Sequence, residues 1–148
     1  MAALSWVQVV NRWIIEGLEV SFDLEKLTRT TTIKANKEKD VVSVVGRGLL
    51  LPSYILFDSP KCGVRFRADN FDTERYYTVE RLKDLGATSP NNWIYTPRYE
   101  TGYYAIAIIL APFSREKLEL KIFNDDTSDH NVLSYSVPYV KASARSEL

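Results

Sequence analysis

Four stretches of the chain alternate apolar and polar residues with a period of two, and this pattern fits strands with one covered face rather than helices. Val20, Phe22 and Leu24 alternate with Ser21, Asp23 and Glu25. Val64, Phe66 and Ala68 alternate with Arg65, Arg67 and Asp69. Leu118, Leu120 and Ile122 alternate with Lys117, Glu119 and Lys121, and Leu133, Tyr135, Val137 and Tyr139 with Ser134 and Ser136. Tyr103 to Leu110 has few polar positions and reads as a strand covered on both faces, hence central. Pro138 cannot donate to a ladder, so the last strand is expected at a sheet edge.

Between these stretches the punctuation is that of turns. Thr28 to Ala35 is β-branched and polar, and Asn36-Lys37-Glu38-Lys39-Asp40 is a charged turn, so the pair is expected to close as a hairpin with Val41 to Val45. Gly46, Gly48 and Pro52 break the apolar run from Val41 to Phe57 into two strand segments joined by a bulge or bend. Ala87 to Arg98, with Ser89-Pro90-Asn91-Asn92 and Thr96-Pro97, reads as a loop.

Two places carry helical spacing. Trp6, Val7, Val10, Trp13, Ile14 and Leu18 recur at helical spacing, with Ser5 as N-cap and Gly17 as stop, although the Val and Ile content also suits an extended arm. Thr78 caps a short second helix through Leu85, with Val79, Leu82 and Leu85 on one face and Gly86 ending it.

The order of elements, roughly seven or eight short strands without a repeating strand-helix-strand rhythm, is that of a mainly β chain. An antiparallel β-sandwich of jelly-roll type is expected over residues 18–141. An N-terminal helix or docking arm precedes it over 1–17, and a flexible tail follows over 142–148. A length of 148 residues suits one domain, and 45% apolar with 26% charged residues is globular composition.

Charge and cysteine content exclude several chemistries. Nineteen basic residues balance nineteen acidic ones, so no global field steers the chain onto nucleic acid or an anionic membrane. Cys62 and His130 are the single cysteine and histidine, which rules out an internal disulfide framework and a Cys/His zinc site from this chain alone. The longest apolar run, Tyr103 to Phe113, falls short of the roughly 20 residues of a spanning helix. The opening Met1-Ala2-Ala3-Leu4-Ser5-Trp6-Val7-Gln8 lacks a basic n-region and a cleavage pattern, so no signal peptide and cytoplasmic synthesis are expected.

Three constellations could carry a ligand. The loop from Asn124 to Asn131 gathers Asp125, Asp126 and Asp129 with other oxygen donors, as calcium requires, although Asn, Asp and Ser also populate ordinary solvated turns. Trp93, Tyr95 and Tyr99, with Tyr103 and Tyr104 near them, could stack on sugar rings, or Trp93 and Ile94 could plug the sandwich. Lys61, Arg65, Arg67, Arg75 and Arg81 are interleaved with aromatics. Phe66 points away from Arg65 and Arg67, however, and Asp69, Asp72, Glu74 and Glu80 stand close by, so a salt-bridged face is expected rather than a nucleic-acid site. No glycine-rich phosphate loop, Gly-x-Ser-x-Gly elbow or zincin helix occurs, and neither His130 nor Cys62 is expected to be catalytic.

The succession Val44-Val45-Gly46-Arg47-Gly48-Leu49-Leu50, Asp58-Ser59-Pro60, Val64-Arg65-Phe66-Arg67-Ala68-Asp69 and Thr78-Val79-Glu80-Arg81-Leu82-Lys83-Asp84-Leu85-Gly86 resembles the β-sandwich surface proteins of tailed bacterial or archaeal viruses. The resemblance spans roughly Val41 to Tyr139. It implies a virion component, a head decoration or a tail or neck protein, acting through homo-oligomerisation and contacts to other virion proteins. No enzyme activity, cofactor or catalytic residue comes with it. In that setting Trp6, Val10, Trp13 and Ile14 are the expected partner-docking residues, on a segment whose removal would leave the β domain folded. The alternative is a carbohydrate-binding module that stacks sugars on Trp93, Tyr95 and Tyr99 and holds calcium at Asp125, Asp126 and Asp129.

Overall fold

A computed structural model describes residues 5–144. The elements are α1 (Trp6–Ile15), β1 (Leu18–Leu27), β2 (Thr31–Ile33), β3 (Glu38–Val45), β4 (Arg47–Leu50), β5 (Ser53–Phe57), β6 (Cys62–Ala68), β7 (Phe71–Asp72), β8 (Tyr77–Thr78), α2 (Val79–Asp84), β9 (Ile94–Glu100), β10 (Tyr103–Ile108), β11 (Lys117–Asn124) and β12 (His130–Ala144). All pairings are antiparallel. A seven-stranded sheet runs β1-β12-β5-β10-β9, with β2 and β4 also on β12, and it packs against a five-stranded sheet in the order β3-β11-β6-β7, with β8 on β6. The expected mainly β, two-sheet sandwich with two helices is therefore the fold.

The inner faces meet in one apolar core. Val42 and Val44 of β3, Val64 and Phe66 of β6, and Leu118, Leu120 and Ile122 of β11 face Ile55 and Phe57 of β5, Ile106 and Ile108 of β10, and Val132 and Val137 of β12. β12 keeps Val132 and Val137 on the same side although they are five residues apart, because a bulge between Val132 and Ser134 shifts the pleat by one. Leu133, expected on the covered face, is thereby displaced from it. Beyond the bulge the alternation resumes, with Tyr139 toward the core between the sheets and Val140 and Ala142 on the opposite face.

Several sequence expectations change. The hairpin closing Thr28–Ala35 on Val41–Val45 does not form: β2 pairs with His130–Val132 in the large sheet, while β3 pairs with β11 in the small one. The turn between them is a crossover between layers, held by Asn36 N–H to the Asp126 carbonyl and Asn124 Nδ2 to the Ile33 carbonyl. The run Val41–Phe57 holds three strands, because Gly46 and Pro52 both interrupt it. Ile94–Glu100 is a strand on β10 rather than part of a loop. Pro138 lies inside the sheet. β1 lies along one side of it, and on the other side it falls between the stretches paired with β4 and β5, where the ladder is broken and no donor is needed. Ala142–Ala144, expected in a flexible tail, continue β12 opposite Leu18–Val20, and residues 145–148 lie outside the described set.

Both helices start and stop where the sequence places them. Ser5 and Gln8 form a reciprocal capping box on α1, and the Thr78 hydroxyl accepts the Arg81 N–H at the start of α2. Gly17 and Gly86, just past the ends, take left-handed φ. Leu85, expected on the buried face of α2, is the C-cap and is exposed. No helix among the described residues is long and apolar enough to cross a membrane.

Gly63 marks a close approach of two strands. A Cβ there would stand 2.1 Å from the Tyr77 carbonyl oxygen and 2.8 Å from Thr78 Cα, both backbone atoms of β8. Gly63→Ala is expected to force β6 and β8 apart and lower the unfolding free energy by about 3 kcal/mol in urea titrations. An unchanged midpoint would contradict the close approach.

Candidate interaction surface

The outer face of the large sheet is only partly covered. α1 lies on it and buries Val9, Val10 and Trp13 against Leu49 of β4 and Val140 and Ala142 of β12, with Leu18, Val20, Leu51 and Phe113 packed at the margin. Trp13 is 2% exposed and meets Phe113 edge-on with ring centres 6.2 Å apart. Val10 and Trp13, expected to dock a partner, are thus committed to the chain's own core. The reason is helical spacing: positions 9, 10 and 13 share the face that must cover Val140 and Ala142. Removing this segment would uncover those residues, so its loss is expected to lower the stability of the β domain.

The remainder of the apolar surface has no cover among the described residues. Trp6 and Ile14, the other two expected docking residues, are exposed, as are Val7 and Ile15. Phe22 and Leu24 of β1 carry the same face onward: Phe22 sits opposite Val140 and Leu24 opposite Pro138. Their alternation was legible as a strand with a covered face, yet in the structure they point to solvent.

On the flank of α1 toward β4, a cleft of about 170 Å³ opens between the helix and the sandwich, lined by Val9, Arg12, Trp13, Glu16, Arg47, Phe113 and Arg115. Its far wall is fixed by backbone. The buried Ser114 hydroxyl donates to the Gly46 carbonyl at 3.0 Å, and Ser114 N–H donates to the Gly48 carbonyl at 2.7 Å. Asp69, at φ 53°, accepts the N–H groups of Arg115, Glu116 and Lys117 on its carboxylate at 2.9, 2.8 and 3.1 Å. Burial pushes the Asp69 carboxyl up, but these three donors and the Arg115 charge hold it below its ordinary value. The Arg47 guanidinium donates to the Glu16 carboxylate.

The acidic loop is organised internally. Asp126 Oδ2 lies 2.8 Å from His130 Nε2 and its Oδ1 accepts Thr127 N–H, while Asp129 accepts Ala35 N–H at 2.9 Å and pairs with Lys34. Asp125 lies 3.9 Å from Arg75. The expected calcium ligands Asp125, Asp126 and Asp129 are thus drawn to three different partners, and among the described residues no group of three or more His, Cys, Asp or Glu side chains is placed to hold a metal ion. The His130 hydrogen bond, with that of Thr127, lowers the Asp126 carboxyl. Cys62 beside this loop is fully buried, and burial, with Asp58 and Asp126 nearby, pushes its thiol up to about 12, well away from nucleophilic use.

The aromatic residues separate into two groups. Trp93 lies in a ring cluster with Phe66, Phe71 and Tyr77, at centre distances of 6.1, 6.0 and 5.7 Å, closing one part of the core. Tyr95 packs against the core from β9, and Tyr99 is exposed, edge-on to Tyr104 at 5.0 Å with Lys83 over its ring. Trp93, Tyr95 and Tyr99 therefore do not form one stacking platform. The basic strand is salt-bridged as its neighbours suggested: Arg65 makes a two-pronged contact to Asp72, and Arg65 and Arg75 both reach Glu38. Burial opposes ionisation of Glu38, but the two guanidiniums outweigh it and lower its carboxyl.

No protein-family model matches the chain, and no curated protein is significantly similar to it. Sequence reasoning missed the arginine-lined cleft, because Arg12, Arg47 and Arg115 lie far apart along the chain and only the tie between residues 46–48 and 114–116 brings two of them near the helix.

Asp69 provides a pH test of the wall that carries Arg115. A carboxyl lowered on folding adds stability above its unfolded value of about 3.9 and loses it as pH falls through the folded value. Urea titrations are expected to show Asp69→Asn clearly less stable than wild type at neutral pH, with the gap closing below about pH 4. A gap independent of pH would show that the charge is not what Asp69 supplies. Trp93→Ala is expected to lower stability by less than the ~3–5 kcal/mol of a fully buried aromatic, because Trp93 is half-buried at the core's margin, and to leave the tryptophan fluorescence response to a glycan panel flat. A stable variant that loses a saturable glycan response would restore the stacking reading.

Proposed function

We propose that this chain is a non-enzymatic structural protein of a virus particle, which works by forming homo-oligomers and by contacts to neighbouring virion proteins. The observation that carries this reading is the set of exposed apolar side chains on α1 and β1. Ile15 is 85% exposed, Phe22 61%, Leu24 57% and Ile14 53%, on elements whose inward residues are firmly packed. A rigid platform of this kind suits docking, since apolar side chains held by an ordered scaffold lose little freedom when they are covered. The resemblance of the Val44–Leu50, Val64–Asp69 and Thr78–Gly86 segments to virion surface sandwiches supplies the setting.

The test is solution mass by light scattering over a concentration series. Wild type is expected to hold one closed oligomeric mass on dilution. The double substitution Ile14→Asp with Phe22→Asp, both at exposed positions, is expected to shift it to monomer without loss of thermal stability. A wild-type monomer at every concentration, or a variant of unchanged mass, would overturn the reading.

A further inference from the structure

We infer that the cleft between α1 and the 113–115 segment is a binding site for a carboxylate, the acidic side chain of a neighbouring protein chain in the assembly. Three arginines line it, Arg12, Arg47 and Arg115, against one lining acidic residue, Glu16. Glu16 pairs with Arg47, and among the described residues the Arg12 and Arg115 side chains have neither an ion pair nor a hydrogen bond. Asp69, whose carboxyl feels the Arg115 charge, is already occupied by three backbone N–H donors. The cleft therefore holds two positive charges in excess of its own carboxylate.

The walls are built before any ligand arrives. Trp13 and Phe113, edge to face, are part of the helix-to-sheet packing, and the segment carrying Arg115 is tied to Gly46 and Gly48 through Ser114 and to Asp69. A guanidinium grips a planar carboxylate through two parallel N–H bonds. The aromatic lining lowers exposure to water on one side, which strengthens such a pair.

A protein carboxylate fits the surroundings better than a nucleic-acid phosphate. The flat charge balance of the chain supplies no global field for a nucleic acid, and the helix that forms one wall of the cleft also carries the exposed apolar residues Val7, Ile14 and Ile15. Arginine beside buried tryptophan, rimmed by apolar side chains, is the composition of a protein interface centre. This inference rests on the assembly reading for the nature of the ligand's carrier, while the carboxylate site itself can be measured without it.

The experiment is a titration of the full chain, followed by NMR at the Trp13 indole and the arginine Nε–H groups. Succinate is the probe, sodium chloride at matched ionic strength is the control, and inorganic phosphate and a short oligothymidylate are the competitors. Succinate is expected to give saturable shifts at Trp13, Arg12, Arg47 and Arg115. Arg12→Gln with Arg115→Gln is expected to weaken it by about tenfold or more, and Arg98→Gln on β9 to leave it unchanged. Shifts no larger than those from chloride, equal affinity in the double variant, or phosphate or oligothymidylate displacing succinate at lower concentration would each overturn the assignment. A saturable succinate site on a chain that stays monomeric would fault the assembly reading alone. A stable oligomer without such a site would fault the cleft alone.

Discussion

The fold depends on one strand. β12 carries β1 and β2 end to end along one side and β4 and β5 along the other, so four of the six other strands of the large sheet take their position from it. A strand so placed has nearly every backbone group in a ladder, and its two faces are both in demand: Val132, Val137 and Tyr139 toward the core, Val140 and Ala142 under α1. The bulge after Val132 is what lets one strand serve both faces, because without the one-residue shift the core residues before and after it would point in opposite directions.

From that strand the surface chemistry follows. Because Val140 and Ala142 need cover on the outer face, α1 is drawn onto the sheet and its apolar stripe is divided. Positions 9, 10 and 13 are used internally, while 7, 14 and 15 are left outside. β1, the outermost strand beside β12, extends the same face past the end of the helix. On the opposite flank the helix stops short of the 113–115 segment, and the gap becomes the arginine-lined cleft. The two surfaces thus share an origin: a ten-residue helix is too small for the sheet face it covers.

Much of the local structure was legible. The period-two stretches at Val64–Ala68 and Leu118–Ile122 are strands whose apolar residues face the core, and Ser5 and Thr78 cap helices of the expected extent, because alternation and capping act over a few residues. What could not be read was which strands are neighbours. Alternation says that Thr31–Ile33 and Glu38–Val45 each have a face, but nothing in either says that they belong to different sheets. Pro138 misled for a related reason: its missing donor is harmless inside a sheet if the adjacent ladder is interrupted at the same level, and Pro52, which makes that interruption, is 86 positions away along the chain (138 minus 52). For the site the balance was less favourable. Residue type marked Trp6 and Ile14 as docking candidates, but the burial of Val10 and Trp13, the separation of Trp93 from Tyr99 and the assembly of the cleft all depend on tertiary pairing.

The position of β12 in the chain has a kinetic consequence. It is the last described strand to leave the ribosome, so β1, β2, β4 and β5 are synthesised without their main partner, and α1 is made before the surface it will cover exists. The small sheet, completed by β11, can associate earlier. Closing β1 onto β12 spans most of the sequence, the kind of non-local pairing that slows folding and leaves strand edges open meanwhile. The large sheet can therefore mature only after β12 has been made, and until then its other strands stay open to mispairing.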